Sequence, residues 1–462
     1  MSANNRLRIV YVGSDYFLSL AGVFIYSIIR FCLMPDYMER RPLEEWLFHD
    51  RHVLAGLLLF PILNVLLFAL SGYYNNVLAK SRLDDLRNSF SVGLITTLIV
   101  YFATLINDYL PRRVQNYELL LVLWGCVSLM PFIGRTVINL LRRKAMRHSP
   151  GIYRSIIVGT PERAAQMRKR LTPGKLKEIP QFNIVGQISP DADNKAFGDI
   201  IERLRPQRLI ITPHPDGMQA TTALITRLYR TGLNLFLSLD LYQLITARTR
   251  ITSITGEPLI DITNANIPPS TINIKRVSDI VLSALALLVL SPVYAAIALA
   301  VKVDSPGPAF YKQERIGFHK RPFNIIKFRT MTADAETSGP ALSHDNDTRI
   351  TRVGRVLRKY RLDEIPQFWN VLKGEMSLVG PRPEREYYID RIVERVPYYS
   401  LIHQVRPGIT SWGMVKYGYA SNVDEMIERL AYDLVYIENV SFGVDLKILF
   451  HTISTVLSGK GL

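Results

Sequence analysis

The chain has 462 residues, 48% of them hydrophobic, a mean hydropathy of +0.11 and a formal net charge of +16. That length exceeds one typical domain, and the apolar content is high for a water-soluble protein, so membrane-spanning segments are expected. The positive balance would suit nucleic acid, but no nucleic-acid-binding motif accompanies it, and Lys and Arg facing anionic lipid account for the same charge, so nucleic acid is set aside as a partner.

Four windows reach the length of about 20 apolar residues that a bilayer crossing needs. They run over Ile9–Leu33, Val53–Tyr73, Phe90–Leu110 and Tyr117–Leu141, which makes residues 1–148 a four-helix transmembrane bundle. The first window is too long for a leader's apolar core and lacks a small-residue cleavage site, so it is expected to stay as a helix. Arg6 and Arg8 precede the first window, Lys80, Arg82 and Arg87 follow the second, and Arg142, Arg143, Lys144 and Arg147 follow the fourth. By the positive-inside rule both ends of the bundle face the cytoplasm. Asp15, near the cytoplasmic end of the first window, is expected to reach the interface. Cys32 and Cys126 are expected as packed thiols, without metal or disulfide spacing.

After the basic stretch Arg142–His148 the pattern changes to short apolar runs separated by polar helical segments, a cytoplasmic α/β domain over residues 149–263. Ser155–Gly159, Ile184–Ile188, Arg208–Thr212 and Asn234–Ser238 read as strands, with helices at Glu162–Leu171 and Ala220–Thr231. The alternation predicts a parallel, Rossmann-like sheet. Its first turn, Gly159-Thr160-Pro161-Glu162, lacks the second and third glycines of a dinucleotide fingerprint, which favours a structural or regulatory module.

Residues 264–303 read as a linker and one more membrane helix, apolar from Ile280 to Val301 except at Ser283 and the pair Ser291-Pro292. Lys275 and Arg276 before this run and Lys302, Lys312 and Arg315 after it ask for the same side of the membrane. A helix broken at Ser291-Pro292 that enters and returns within one leaflet satisfies both flanks; a kinked crossing is the alternative.

Residues 304–462 carry the densest motifs and read as a catalytic α+β domain. Phe310–Gly317 contains Gln313 and Arg315, candidate substrate ligands, and leads to the alternating run Phe323–Met331. There Lys327 and Arg329 share one strand face, as a pyrophosphate clamp or a solvated edge would. If Arg352–Lys359 is helical, Arg355, Arg358 and Lys359 form one basic stripe, with Arg358 five residues ahead of Asp363. Asp363-Glu364 then sits among Leu362, Ile365, Phe368 and Trp369, where ionised carboxylates need cations. The simplest division of labour makes Asp363 a nucleophile on phosphorus and Glu364 a ligand for Mg²⁺. Arg382, in Gly380-Pro381-Arg382-Pro383, stands on a loop stiffened by two prolines and suits a bidentate grip on phosphate, with pairing to Glu384 as the alternative. His319, His344 and His403 lack ligand spacing.

The runs Lys327-Phe328-Arg329-Thr330-Met331, Arg361–Glu375 and Ser377–Glu384 resemble the bacterial sugar transferase family. Arg406–Gly413 also matches, with Ser411 where members commonly have glycine. The resemblance implies a polyprenyl-phosphate hexose-1-phosphate transferase of the inner membrane. It would take a UDP-sugar and polyprenyl phosphate, use Mg²⁺, pass through a phospho-aspartate at Asp363 and start exopolysaccharide, capsule or O-antigen synthesis. It further implies a re-entrant helix broken at Ser291-Pro292 and phosphate contacts from Lys327, Arg329 and Arg382. Two other readings are a membrane-tethered nucleotide-sugar dehydratase or epimerase, which needs the absent glycine fingerprint, and a non-enzymatic scaffold, which the intact Asp363-Glu364 set argues against. The sugar is not legible, and homo-oligomers remain compatible with the sequence.

Overall fold

The computed structural model describes residues 3–33, 42–75, 77, 82–103, 113–145, 153–171, 182–229, 231–238, 259–262, 267–332, 347–418, 420 and 422–457. The chain divides into two compact units, Met1–Ser149 with Pro268–Ile274, and Pro150–Ile267 with Lys275–Leu462.

In the first unit, α1 (Ala3–Leu33), α3 (Arg51–Leu70), α4 (Arg82–Ala103) and α5 (Arg113–Ala145) form a bundle, and the short α2 (Leu43–His49) leads into α3. All four long helices are long and apolar enough to cross a membrane, which makes this a membrane protein. The third apolar window is Leu83–Ala103, earlier than the sequence reading placed it, and residues 104–110 of the expected window lie outside the described residues. The early start hid behind polar residues: Asp85 is buried and accepts from Tyr73 and Asn139.

Asp15 corrects another expectation. It does not reach an interface but is wholly buried against Arg135 of α5 at 2.7 Å. Tyr74 donates to the same carboxylate, Arg135 donates to Ser89, and the rings of Phe68 and Tyr73 lie 3.9 and 3.8 Å from the guanidinium carbon. A charge in hydrocarbon is kept only when fully partnered, and each member supplies what the other would lack. Cys32 faces outward rather than packing inside, and Cys126 is half-buried.

The central sheet has the order β2-β1-β3-β4-β5, from β1 (Tyr153–Val158), β2 (Phe182–Ile188), β3 (Arg208–Ile211), β4 (Asn234–Ser238) and β5 (Leu259–Asp261). The first four are parallel and β5 closes the edge antiparallel to β4. Helices α6 (Pro161–Leu171), α7 (Asn194–Leu204) and α8 (Met218–Tyr229) connect them, as the alternating pattern requires. Strands β1, β3 and β4 are apolar on both faces because helices cover both. Gly159, at the end of β1, abuts the Thr212 hydroxyl so closely that a Cβ would lie 2.0 Å from it. This glycine serves the packing of one strand end on the next.

In the C-terminal part, α9 (Pro269–Val289) and α10 (Ser291–Asp304) are bent by 63° at Leu290. Pro292 at the start of α10 has no amide to donate, and the Ser291 hydroxyl donates to the Leu288 carbonyl at 2.8 Å. A hairpin of β6 (Phe310–Ile316) and β7 (Pro322–Phe328), pairing Phe310 with Phe328 and Ile316 with Pro322, packs against α11 (Arg352–Lys359), α12 (Gln367–Lys373) and α13 (Glu386–Arg395). The parallel pair β8 (Ser377–Val379) and β9 (Gly408–Thr410), with α14 (Trp412–Lys416), α15 (Val423–Glu438) and α16 (Phe442–Leu457), completes the core.

Candidate active site

The site is built on the turn between α11 and α12. Helix α11 starts at Thr351, whose hydroxyl accepts from the Gly354 amide, and stops at Tyr360. Arg361 then takes a left-handed conformation, φ 53°, and a short 3-10 helix presents Leu362, Asp363 and Glu364. A non-glycine residue in that region is strained, and such strain persists only where the surroundings over-determine it. Pro366 follows and starts α12, which ends at Gly374. Three side chains pin this turn. The buried Asn370 side chain accepts from the Ile326 amide and donates to the Asn324 carbonyl, tying α12 to β7. Tyr294 of α10 donates to the Ile365 carbonyl at 2.5 Å. Arg276 of α9 donates to the Val371 and Leu372 carbonyls at the end of α12.

Asp363 and Glu364 are 8% and 4% exposed. Glu364 Oε1 lies 3.0 Å from Lys327 Nζ and 3.4 Å from an Arg382 nitrogen. Burial opposes ionisation of Glu364, but Lys327, Arg382 and Arg361 outweigh it and hold this carboxyl down at about 2. Asp363 goes the other way. Burial pushes it up to about 6; the neighbouring Glu364 charge adds to the rise, and Lys327 and Arg358 oppose it. Burial and the nearby Arg382 also lower the Lys327 ammonium, although Glu364 pulls it back. Adjacent carboxyls thus differ in character: Glu364 is a permanent anion clamped by two cations, and Asp363 is a more basic oxygen beside it.

Of the residues singled out by sequence, Asp363, Glu364, Lys327 and Arg382 meet in one cluster, with Arg358 near enough to act on Asp363 while donating to the Thr330 hydroxyl. Arg382 pairs with Glu364 rather than with Glu384. Arg329 is placed apart from this cluster: its two terminal guanidinium nitrogens donate to the carbonyls of Val301, Ser305 and Pro306 at the end of α10. Arg315 and Gln313 are joined to each other behind the cluster. Arg315 donates to Gln313 Oε1, the Pro383 carbonyl and Glu384, so the two fasten the loop that carries Arg382. Ser291 and Pro292 stand at the helix break. His403 is buried and lowered to about 4 by that burial, and His344 lies outside the described residues. Sequence reasoning missed Asn370, Tyr294 and Arg276; a lone Asn or Tyr in an apolar run signals only that a buried polar group needs a partner.

Residues 270–459 match the bacterial sugar transferase family. Over a longer stretch, the chain is 30% identical across 372 residues to a UDP-glucose:undecaprenyl-phosphate glucose-1-phosphate transferase of Klebsiella pneumoniae, covering 79% of each chain. The chain belongs to the bacterial sugar transferase family. Another member, the UDP-N-acetylgalactosamine-undecaprenyl-phosphate N-acetylgalactosaminephosphotransferase of Aeromonas hydrophila, is 45% identical over 188 residues, 41% of this chain and 44% of that one. A UDP-glucose:undecaprenyl-phosphate glucose-1-phosphate transferase of Escherichia coli K12 is 38% identical over 234 residues, half of each chain. The match thus spans about half or less of these last two relatives. Every residue of the carboxylate cluster falls within the sugar transferase match.

Proposed function

We propose that this chain transfers a hexose-1-phosphate from a UDP-sugar to undecaprenyl phosphate, giving undecaprenyl-diphosphate-sugar and UMP, and so initiates synthesis of an exopolysaccharide or related surface glycan. The observation that carries the reading is the split between the two carboxyls, Glu364 clamped by Lys327 and Arg382 and Asp363 left as the more basic oxygen. In the first half-reaction an Asp363 oxygen bonds to the sugar-bearing phosphorus, and the bond from that phosphorus to the UMP oxygen breaks. In the second, a phosphate oxygen of the polyprenyl phosphate bonds to the same phosphorus and Asp363 leaves as carboxylate. Phosphoryl transfer of this kind needs positioning and charge neutralisation above all. Lys327 and Arg382, already converged at 3.0 and 3.4 Å on Glu364, supply both.

The donor set fits a magnesium ion that arrives with its substrate. Among the described residues no group of three or more acidic, His or Cys side chains converges, whereas one or two carboxylates plus substrate phosphates are the usual Mg²⁺ ligation. Glu364, with Asp363 beside it, would hold the ion, and its charge would neutralise part of the diphosphate.

The site is assigned to the cytoplasmic face, where nucleotide sugars are made, with α9 and α10 entering and returning within one leaflet. Lys275 and Arg276 before the bend and Lys302 after it favour this over a crossing. The division at residues 148, 263 and 303 belongs to the same proposal. Purified protein given UDP-sugar, Mg²⁺ and undecaprenyl phosphate should release UMP, and a panel of UDP-sugars identifies the donor; no release with any donor rejects the activity. In intact cells, single cysteines at positions 270 and 303 should both resist a membrane-impermeant reagent; labelling of position 303 alone would mean a crossing.

A further inference from the structure

Behind the Arg382 loop runs a second, largely buried chain of charges that the proposed mechanism does not use. Glu384 accepts from Arg315 at 3.1 Å on one oxygen and from Arg429 of α15 at 2.7 Å on the other, with all three side chains 14% exposed or less. One turn further along α15, Asp433 accepts from the Gly413 amide at 3.3 Å and from the Ser411 hydroxyl. Ser411 in turn caps α14 by accepting from the Met414 amide at 2.9 Å. Met414 closes the circuit, because its sulfur lies 3.5 Å from the same Arg382 nitrogen that reaches Glu364. Gly413 runs so close over α15 that a Cβ there would lie 2.6 Å from Arg429 Cγ and 3.0 Å from an Asp433 oxygen.

Arg382 is therefore held from two sides. On one side Glu384 anchors its loop; on the other Met414 sets the floor under its guanidinium; and both supports rest on α15. Although burial opposes it, Arg429, Arg315 and Arg382 together keep Glu384 below the ordinary carboxyl range. A buried carboxylate such as Asp433 is expensive, and apolar residues would fill the space at no such cost. The contacts are spent on two loops, one bearing Arg382 and the other the Ser411–Met414 turn, rather than on the core of α15 itself.

Resting on the transferase reading above, we propose that Arg429, Asp433 and Ser411 are positioning residues for that reaction, fixing Arg382 from behind against Glu364 and so setting how the donor's diphosphate is gripped. None of them touches the reacting atoms. Ser411 joins the two supports, bonding Asp433 with its hydroxyl while accepting from the Met414 amide.

The test is a double-mutant cycle on full-length protein in lipid nanodiscs, read as kcat/KM for UMP release from the UDP-sugar. Arg429→Gln should lower it on the order of 10- to 100-fold, as loss of a supporting contact does. Arg382→Lys should also lower it, and the double variant should be little worse than the poorer single, because both act on one guanidinium. Arg429→Lys should recover most of the loss, and the KM for undecaprenyl phosphate should stay within about twofold, as a residue that acts only on the donor grip leaves the acceptor alone. If Arg429→Gln does not fold, Asp433→Asn, which keeps an oxygen for the Gly413 amide, replaces it in the cycle. Multiplying effects in the double variant, or unchanged kcat/KM in either folded single at position 429 or 433, would overturn the proposal. Failure of the transferase reading shows separately, as no UMP release from the unsubstituted protein, and removes this inference with it.

Discussion

Asp363→Asn should abolish the covalent intermediate and lower turnover on the order of 10⁴-fold or more, the scale seen when a nucleophile is removed from a set that acts as a unit. Asparagine keeps the size and one acceptor oxygen at this buried position, so the fold should stand while the attacking oxygen is lost. Intact-mass spectrometry after mixing with UDP-sugar alone, without undecaprenyl phosphate, checks it. The unsubstituted protein should gain the mass of one sugar phosphate and release one UMP per chain; the variant should do neither.

Glu364 cannot take over, for a reason visible in the geometry. Its oxygen is engaged by Lys327 and Arg382, and a carboxylate held at about 2 is a poor nucleophile as well as a confined one. Glu364→Gln should therefore leave the nucleophile in place while weakening the clamp and the proposed hold on magnesium, on the order of 10²- to 10³-fold, comparable to removal of one preorganised electrostatic contact. Turnover of Asp363→Asn within tenfold of the unsubstituted protein would move the nucleophile elsewhere.

The membrane helices and the strands of the central sheet were legible because hydropathy windows and β-α alternation report burial directly, and burial decided both. The start of α4 was not, because Asp85 satisfies itself against Tyr73 and Asn139, partners distant or polar enough to hide in sequence. The pair Asp15 and Arg135 illustrates the same point: 120 residues separate two charges that cancel inside the bundle. At the site, Lys327, Asp363, Glu364 and Arg382 could be found by their motifs, since chemistry constrains residue type and spacing together. Arg329 could not be sorted from Lys327, because strand alternation gives a face but not what waits there, and the open end of α10 claimed the longer side chain. Arg429 and Asp433 sit four apart within the apolar stripe Met426, Leu430 and Ile437. That pattern of charge inside a core face was the available signal.

Lys327→Met should both slow the enzyme and move its pH profile, and the direction follows from the charges. Asp363 attacks as carboxylate, so the rate of UMP release should fall as pH drops through about 6 and level off above it. Lys327 is the largest influence that keeps Asp363 from rising further against burial, and likewise the first cation holding Glu364 down. Removing the ammonium raises both carboxyls, so the acid limb of the profile should shift to higher pH and the neutral-pH rate should drop on the order of 10²- to 10³-fold. Stability moves with it. Glu364 has a folded value below its unfolded one, so its contribution is present above the unfolded value and lost as pH falls through about 2. In the variant that contribution shrinks, and the thermal midpoint at neutral pH should fall, because the buried Glu364 loses its 3.0 Å partner, the largest of the cations that hold it ionised. Lys327→Arg should restore the position of the acid limb while recovering only part of the rate, since the charge returns but the shape of a guanidinium does not match the ammonium's place. Single-turnover UMP release between pH 5 and 9 measures all of this. An acid limb that stays at its original pH in Lys327→Met would mean that the titrating group is not Asp363, and the assignment of nucleophile and clamp would fail with it.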